Sequence, residues 1–254
     1  MVKFKVNTAE DDQDFRATTA YKKLYARLKD LKTRKGRIIH VIGAPGTGKS
    51  ANIFQAVKDL DLNVYNAVLA LDDVHQSSTE VYNKFFHTLK EDMKVNSIDG
   101  VFDKASEYDA VLLADRFHDS HYLYEGKIGF SLWMDNKGFG SFPFYFSLII
   151  LYFRNLSKFR KVNLVFQTAW TFRTRGVKKD LFTDFGLFSR LMVSLLKLFF
   201  DVVEISYSES EIIDIVKKRI PDVEAEEIRS YIERYGNRIR FILKAIEKSQ
   251  NEHE

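Results

Sequence analysis

Gly43-Ala44-Pro45-Gly46-Thr47-Gly48-Lys49-Ser50 is a complete G-x-x-x-x-G-K-[ST] pattern, and its setting gives it meaning. An apolar run, Ile38 to Ile42, leads into it, and a helix-compatible stretch from Ala51 to Leu60 follows. Strand, glycine loop and helix together form a cradle for phosphate. The glycines let backbone N–H groups converge on an anion, and the helix N-terminus adds a favourable dipole. Lys49 is placed to reach the β- and γ-phosphates of a nucleoside triphosphate, and the Ser50 hydroxyl to join Mg²⁺. Gly43 to Ala51 is therefore the expected ATP and Mg²⁺ site.

Composition narrows the rest. The 254 residues suit one large α/β domain with a small appendage, and 45% hydrophobic with 29% charged residues is the balance of a folded chain. There is no cysteine, which excludes disulfides, zinc–thiolate sites and cysteine nucleophiles. Met1 to Val6 lacks the apolar core of a signal peptide, so a cytoplasmic setting is expected. Phe142 to Phe153 falls short of the ~20 residues a membrane span needs, and Leu187 to Phe200 is broken by Arg190 and Lys197. Both read as buried helices, and no membrane partner is expected. The six histidines show no metal-ligand spacing.

A net charge of +4 is modest but unevenly placed. Residues 22–37 hold Lys22, Lys23, Arg27, Lys29, Lys32, Arg34, Lys35 and Arg37 against Asp30 alone, and residues 154–179 hold eight basic residues and no acid. Such clusters are footprints of polyanion binding, so nucleic acid, above all DNA, is the expected partner.

Along the chain, a helical pattern runs from Thr8 to Lys35, with acids early and bases late, in keeping with the helix dipole. The first strand is Arg37 to Ile42. A second, Asn63 to Leu71, ends in Asp72 and Asp73. Ser77 to Glu80 caps a helix reaching Lys94. Ala110 to Ala114 is an apolar strand ending in Asp115, the Walker B form. Arg116 to Ser141 looks irregular. A greasy helix, Phe142 to Leu156, precedes the strand Val162 to Ala169, whose end carries Gln167 and Thr168. After a basic turn, a helix from Thr183 to Phe200 leads to a fifth strand, Val202 to Ser206. Strands alternating with helices predict a parallel sheet covered on both faces, with the strand C-termini lining one crevice.

This order resembles the additional-strand P-loop ATPases. The last fifty residues carry three short helical segments, from Ser208, from Pro221 and from Arg238, that resemble the helical lid of AAA+ ATPases, particularly small AAA+ proteins of plasmids and viruses. The resemblance implies a P-loop NTPase three-layer α/β fold over 1–207, including the N-terminal helix 8–35, and a lid over 208–254. It makes Asp115 the Mg²⁺-organising acid, Gln167 or Thr168 the sensor on the fourth strand, and Arg240, with Arg238 as the alternative, the lid sensor. It implies an arginine finger from Arg173, Arg175 or Arg190 in a homo-oligomer. One position departs from the family: Arg116 stands where a water-polarising glutamate follows the Walker B aspartate. Asp72 or Asp73 is the expected replacement, with Asp119 and Glu125 as weaker candidates. The implied function is ATP hydrolysis coupled to DNA replication initiation or loading. A DNA-translocating or packaging motor, or a non-hydrolysing switch, are the alternatives.

Overall fold

The computed structural model describes residues 15–114, 126–174 and 177–251. Its main sheet has five parallel strands. They are β1 (Ile38–Ile42), β2 (Val64–Asn66), β4 (Val111–Ala114), β6 (Asn163–Gln167) and β9 (Asp201–Glu204), in the order β2-β4-β6-β1-β9. The strand bearing Gln167 is inserted between the phosphate-loop strand and the strand leading to Asp115, as the additional-strand arrangement requires.

Strand alternation sorts the side chains between two cores. Ile39 and Val41 of β1, Val111 and Leu113 of β4, Val165 of β6 and Val203 of β9 face one side. There they pack on α1 (Thr19–Lys29), α2 (Lys49–Asp59) and the C-terminal helices α9 (Glu209–Arg219), α10 (Ala225–Tyr235) and α11 (Ile239–Asn251). Ile38, Leu112 and Leu164 face the other side, against α3 (Ser78–Met93), α4 (Ile98–Glu107), α5 (Phe130–Lys137) and α6 (Phe142–Arg154). Two further helices are α7 (Leu156–Phe159) and α8 (Leu187–Phe199). Val193 of α8 packs on Ile42 from this second side. The result is the three-layer α/β P-loop NTPase fold with a parallel five-stranded sheet, followed by three helices that share the first core.

Several expectations need correction, among them the irregular reading of Arg116 to Ser141, which holds α5. The N-terminal helix was expected from Thr8 to Lys35. Among the described residues it begins at Thr19, because Thr18 adopts extended backbone and its side chain accepts from Tyr21 N. It ends in a 3-10 turn at Asp30–Lys32. The second strand is split: β2 stops at Asn66, and β3 (Ala70–Leu71) pairs antiparallel with β5 (Ile128–Gly129) outside the main sheet. A continuous apolar run cannot show where a chain leaves a sheet, since Leu69 and Leu71 stay buried after it has done so. The basic turn after the fourth strand is a hairpin, β7 (Thr171–Thr174) with β8 (Val177–Asp180). The greasy helices α6 and α8 lie on the sheet but are not enclosed: each keeps an apolar stripe in solvent. Among the described residues no helix is long and apolar enough to cross a membrane.

Candidate nucleotide-binding site

The site is built where β1 ends. Gly46 and Gly48 take positive φ values of 86° and 78°, which turn successive N–H groups inward at little steric cost. At Gly43 a Cβ would lie 2.9 Å from both Ile205 O and Thr47 Oγ1, so glycine is required there by close approach. Thr47 ties the loop to itself, its N–H and hydroxyl both donating to Ala44 O at 3.2 and 2.9 Å. Lys49, the first residue of α2, is buried and curls back over the loop. Its Nζ donates to Gly43 O at 2.7 Å and to Ala44 O at 3.3 Å. Its ammonium is thus already held over the concave face of the loop, where phosphate charge would sit.

Ser50 Oγ donates to Gln167 Oε1 at 2.7 Å, joining the start of α2 to the end of β6. Thr168 is turned to the opposite face of the sheet, its Oγ1 2.8 Å from His40 Nδ1. Burial drives the His40 pKa down to about 4, so this imidazole is neutral at physiological pH. Of the two residues expected as the β6 sensor, the structure therefore brings Gln167 to Ser50. Asp115 and Arg116 lie outside the described residues, as do Asp119, Glu125 and Arg175. The strand leading to Asp115 is in place, with Ala114 in register with Phe166.

The C-terminal helices reach the loop directly. Arg240 N donates to Gly46 O at 3.0 Å, and a Cβ on Gly46 would meet Arg240 Cβ at 3.5 Å and the Phe241 ring at 3.6 Å. The backbone of Arg240 thus touches the phosphate loop. Arg238, the alternative, is engaged elsewhere: its Nη2 donates to both Asp184 oxygens at 2.9 and 2.8 Å.

No motif marks the supports behind this site. Tyr207 OH donates to Thr47 O and accepts from Asn52 Nδ2, both at 2.8 Å, and Tyr207 N donates to Asn237 Oδ1 at 2.7 Å. Burial pushes the Tyr207 phenol up to about 12. Asp180, at the end of the hairpin, is wholly buried. Its carboxylate accepts from Phe182 N at 2.8 Å and Trp170 N at 3.2 Å. Burial raises its pKa to about 6, against a lowering from those N–H groups and from the charge of Lys49. Asp184, which holds Arg238, also accepts from Asp180 N at 2.8 Å. An isolated Asn, Tyr or Asp matches no motif, and only the fold gathers them.

Asp72 and Asp73 do not end a strand of the main sheet. Asp72 pairs with Lys127, and with Lys84 at 3.8 Å, while Asp73 Oδ1 accepts from His75 N at 3.0 Å. The premise that set them beside Asp115, a strand continuous to Leu71, is not met. Among the described residues no group of His, Asp and Glu is arranged to hold a metal by itself.

No family model matches the chain. No curated protein matches it either. Solved structures do. Cdc6p from Pyrobaculum aerophilum aligns over 92% of this chain and 62% of its own, at 13% identity and a TM-score of 0.47. The structure of Drosophila ORC bound to DNA aligns over 88% and 52%, at 13% identity and a TM-score of 0.44. A signal-transduction ATPase with numerous domains and a tetratricopeptide repeat sensor, from Pyrococcus horikoshii, aligns over 85% and 28%, at 12% identity and a TM-score of 0.37. The chain spans less than two thirds of the length of each. The likeness reaches no further than the fold, which the strand order establishes on its own.

Proposed function

We propose that this chain binds ATP with Mg²⁺ and hydrolyses it as an AAA+ ATPase acting on DNA, in replication initiation or loading. The observation that carries the nucleotide reading is the phosphate loop. Two left-handed glycines, a buried lysine curled over the concave side and a serine hydroxyl at the helix start form a site fitted to a triphosphate. In this reading Gly43 to Ala51 hold the phosphates, Lys49 sets its charge on them, and Ser50 with Asp115 holds the metal. Bound Mg²⁺ supplies charge neutralisation on the phosphate oxygens. Gln167 reads the γ-phosphate end of the site, and Arg240 conveys the position of the 208–254 lid to the loop of the 1–207 ATPase domain. DNA contact is assigned to segments 22–37 and 154–179, from their charge. Homo-oligomer formation would place an arginine finger, from Arg173, Arg175 or Arg190, at a neighbour's site.

A second reading, a nucleotide-dependent switch with little turnover, is favoured by Arg116 in the position of the usual glutamate. One experiment separates the two. ATP turnover and nucleotide affinity are measured with and without single- and double-stranded DNA, using Lys49→Ala as the control. The enzyme reading expects turnover that Lys49→Ala abolishes without unfolding the chain. Tight ATP binding with no turnover in any state selects the switch, and full ATP affinity in folded Lys49→Ala removes the nucleotide reading. Binding to DNA should weaken linearly in log affinity against log salt, with a shallower slope once Lys178 and Lys179 are neutralised.

A further inference from the structure

Helices α6 and α8 both connect parallel strands of the main sheet and cover the same face of it, so their outer surfaces point the same way. Phe142, Trp170 and Tyr145 pack together at one end, with Phe142 stacked on Trp170 at 6.0 Å. Trp170 also packs in the cluster that holds Val193 of α8. At the other end Tyr152 meets Phe200 at 5.7 Å. The two helices thus form one surface. Its outward residues are Phe142, Phe146, Ile149 and Phe153 on α6, spaced as one helical stripe, and Leu187, Leu191, Leu195 and Leu198 on α8. Leu187 and Leu198 are 81% and 74% exposed, and Phe153 is 60% exposed. Soluble chains rarely leave so many large apolar side chains together in water without a partner.

Along the two helices themselves the charge has one sign, and the acid that follows α8, Asp201, is paired with Arg37. Phe142 to Lys179 contains no acidic residue, nor does Phe185 to Phe200. Arg154, Arg160, Lys161, Arg190 and Lys197 are all exposed on or beside the two helices. A second copy docking symmetrically on the same face would gather Arg190 and Lys197 of both copies into one interface, with no acid on either helix to pair them. Duplex DNA satisfies the cations but has no use for a sheet of phenylalanine and leucine. A surface that is anionic at its boundary and hydrocarbon just beneath satisfies both. Each helix has 13 residues, about 20 Å, which lies along such a boundary but does not cross it.

We propose that the α6–α8 face is a docking surface for an anionic lipid bilayer, the phenylalanine and leucine stripes entering the headgroup region while the flanking arginines and lysines meet lipid phosphates. Arg190 then lies at the lipid boundary, which leaves an arginine finger to Arg173 or Arg175, and Arg154, Arg160 and Lys161 go to lipid, which leaves DNA contact to segment 22–37 and the later cations of 154–179. This rests on the fold and the surface alone, not on nucleotide turnover.

The test is co-sedimentation of the full chain with vesicles of phosphatidylcholine, alone or mixed with phosphatidylglycerol, without nucleotide or DNA. The expected result is binding at least ~10-fold stronger to the mixed vesicles and weakening with salt, as cationic residues near an anionic surface require. Phe146→Asp with Leu191→Asp should abolish it while folded signal and melting temperature are kept, since both side chains are half in solvent. Lys161→Glu with Lys197→Glu should reduce it and flatten its salt dependence. Failure to bind mixed vesicles, or equal binding to both kinds, overturns the proposal. So does a wild-type oligomer that the Phe146→Asp, Leu191→Asp chain converts to a monomer in the absence of lipid, because the face would then belong to a second copy.

Discussion

Ser50 and Gln167 meet through one hydrogen bond, Oγ to Oε1 at 2.7 Å, across 117 residues of sequence. It ties the hydroxyl expected on the metal to the side chain expected at the γ-phosphate. A hydroxyl that coordinated Mg²⁺ would do so through a lone pair and could keep donating its proton to Gln167, so this bond would hold Gln167 beside the metal.

Gln167→Ala removes that coupling without opening the core, since β6 pairs with β1 and β4 through its backbone. The expected outcome is near wild-type nucleotide affinity and a turnover lowered by about 100- to 1000-fold, in the range lost with a positioned polar group. Parallel measurement of affinity and steady-state turnover checks it. A loss of affinity alone would place Gln167 in ground-state binding only.

Tyr207→Phe deletes the hydroxyl that donates to Thr47 O and accepts from Asn52. Asn52 Nδ2 keeps Gly48 O at 2.8 Å, so the uncompensated loss is at the Thr47 carbonyl. The cost should be about 1–2 kcal/mol, a fall in Tm of roughly 3–6 °C for a chain of this size. The phosphate loop should loosen with it, seen as faster hydrogen exchange at Thr47 and Gly48. Unchanged Tm and exchange would show that the hydroxyl is not a brace.

Asp180 makes a prediction in pH. Its carboxyl is raised to about 6 from an ordinary 3.8, so the folded state holds this proton more tightly than the unfolded chain does. Its contribution is therefore fully present below about pH 4 and is lost as pH rises through about 6. That loss amounts to roughly 3 kcal/mol. Asp180→Asn has no proton to lose, so its stability relative to wild type should rise between pH 4 and pH 7. Urea unfolding of both chains at several pH values checks the slope. A difference independent of pH would mean the group does not titrate in that window.

The fold was legible because its decisive elements are local. Gly43 to Ser50 announces itself, the capping residues Ser77 and Ser208 mark helix starts, and apolar runs mark the sheet strands. What escaped was what depends on distant partners. Asn66 ends β2 because Ala70 and Leu71 find Ile128 and Gly129 instead, a pairing no local pattern shows. The hairpin after β6 was hidden in a basic stretch. Asp180 and Tyr207 owe their importance to residues 10 and 160 positions away. The outward stripes of α6 and α8 read as core because hydrophobicity alone does not tell which side a helix covers.

The last prediction concerns the acid that orients water when Arg116 follows Asp115. In-line attack needs a proton acceptor within hydrogen-bond reach of the water, or through one bridging molecule. Arginine stays protonated and accepts nothing. Asp72 and Asp73 follow β3 outside the main sheet, and Asp72 is neutralised by Lys127 and Lys84. Asp180 closes a hairpin that starts four residues beyond Gln167, lies within the field of Lys49, and has a pKa near 6 that leaves it ionised yet basic at neutral pH. Each of its oxygens holds one N–H and retains a lone pair. Being wholly buried, it would act through a bridging water. We therefore expect Asp180→Asn to lower turnover by ~100-fold while ATP affinity persists, and to abolish an acid limb near pH 6 in the wild-type rate profile. Asp72→Asn and Asp73→Asn, measured beside it, should stay within a few-fold of wild type. Loss confined to one of those two restores the acid to the β3 turn and leaves Asp180 as a structural tie. Loss in Asp180→Asn with the acid limb unmoved makes Asp180 a positioning residue for the hairpin and not the acceptor.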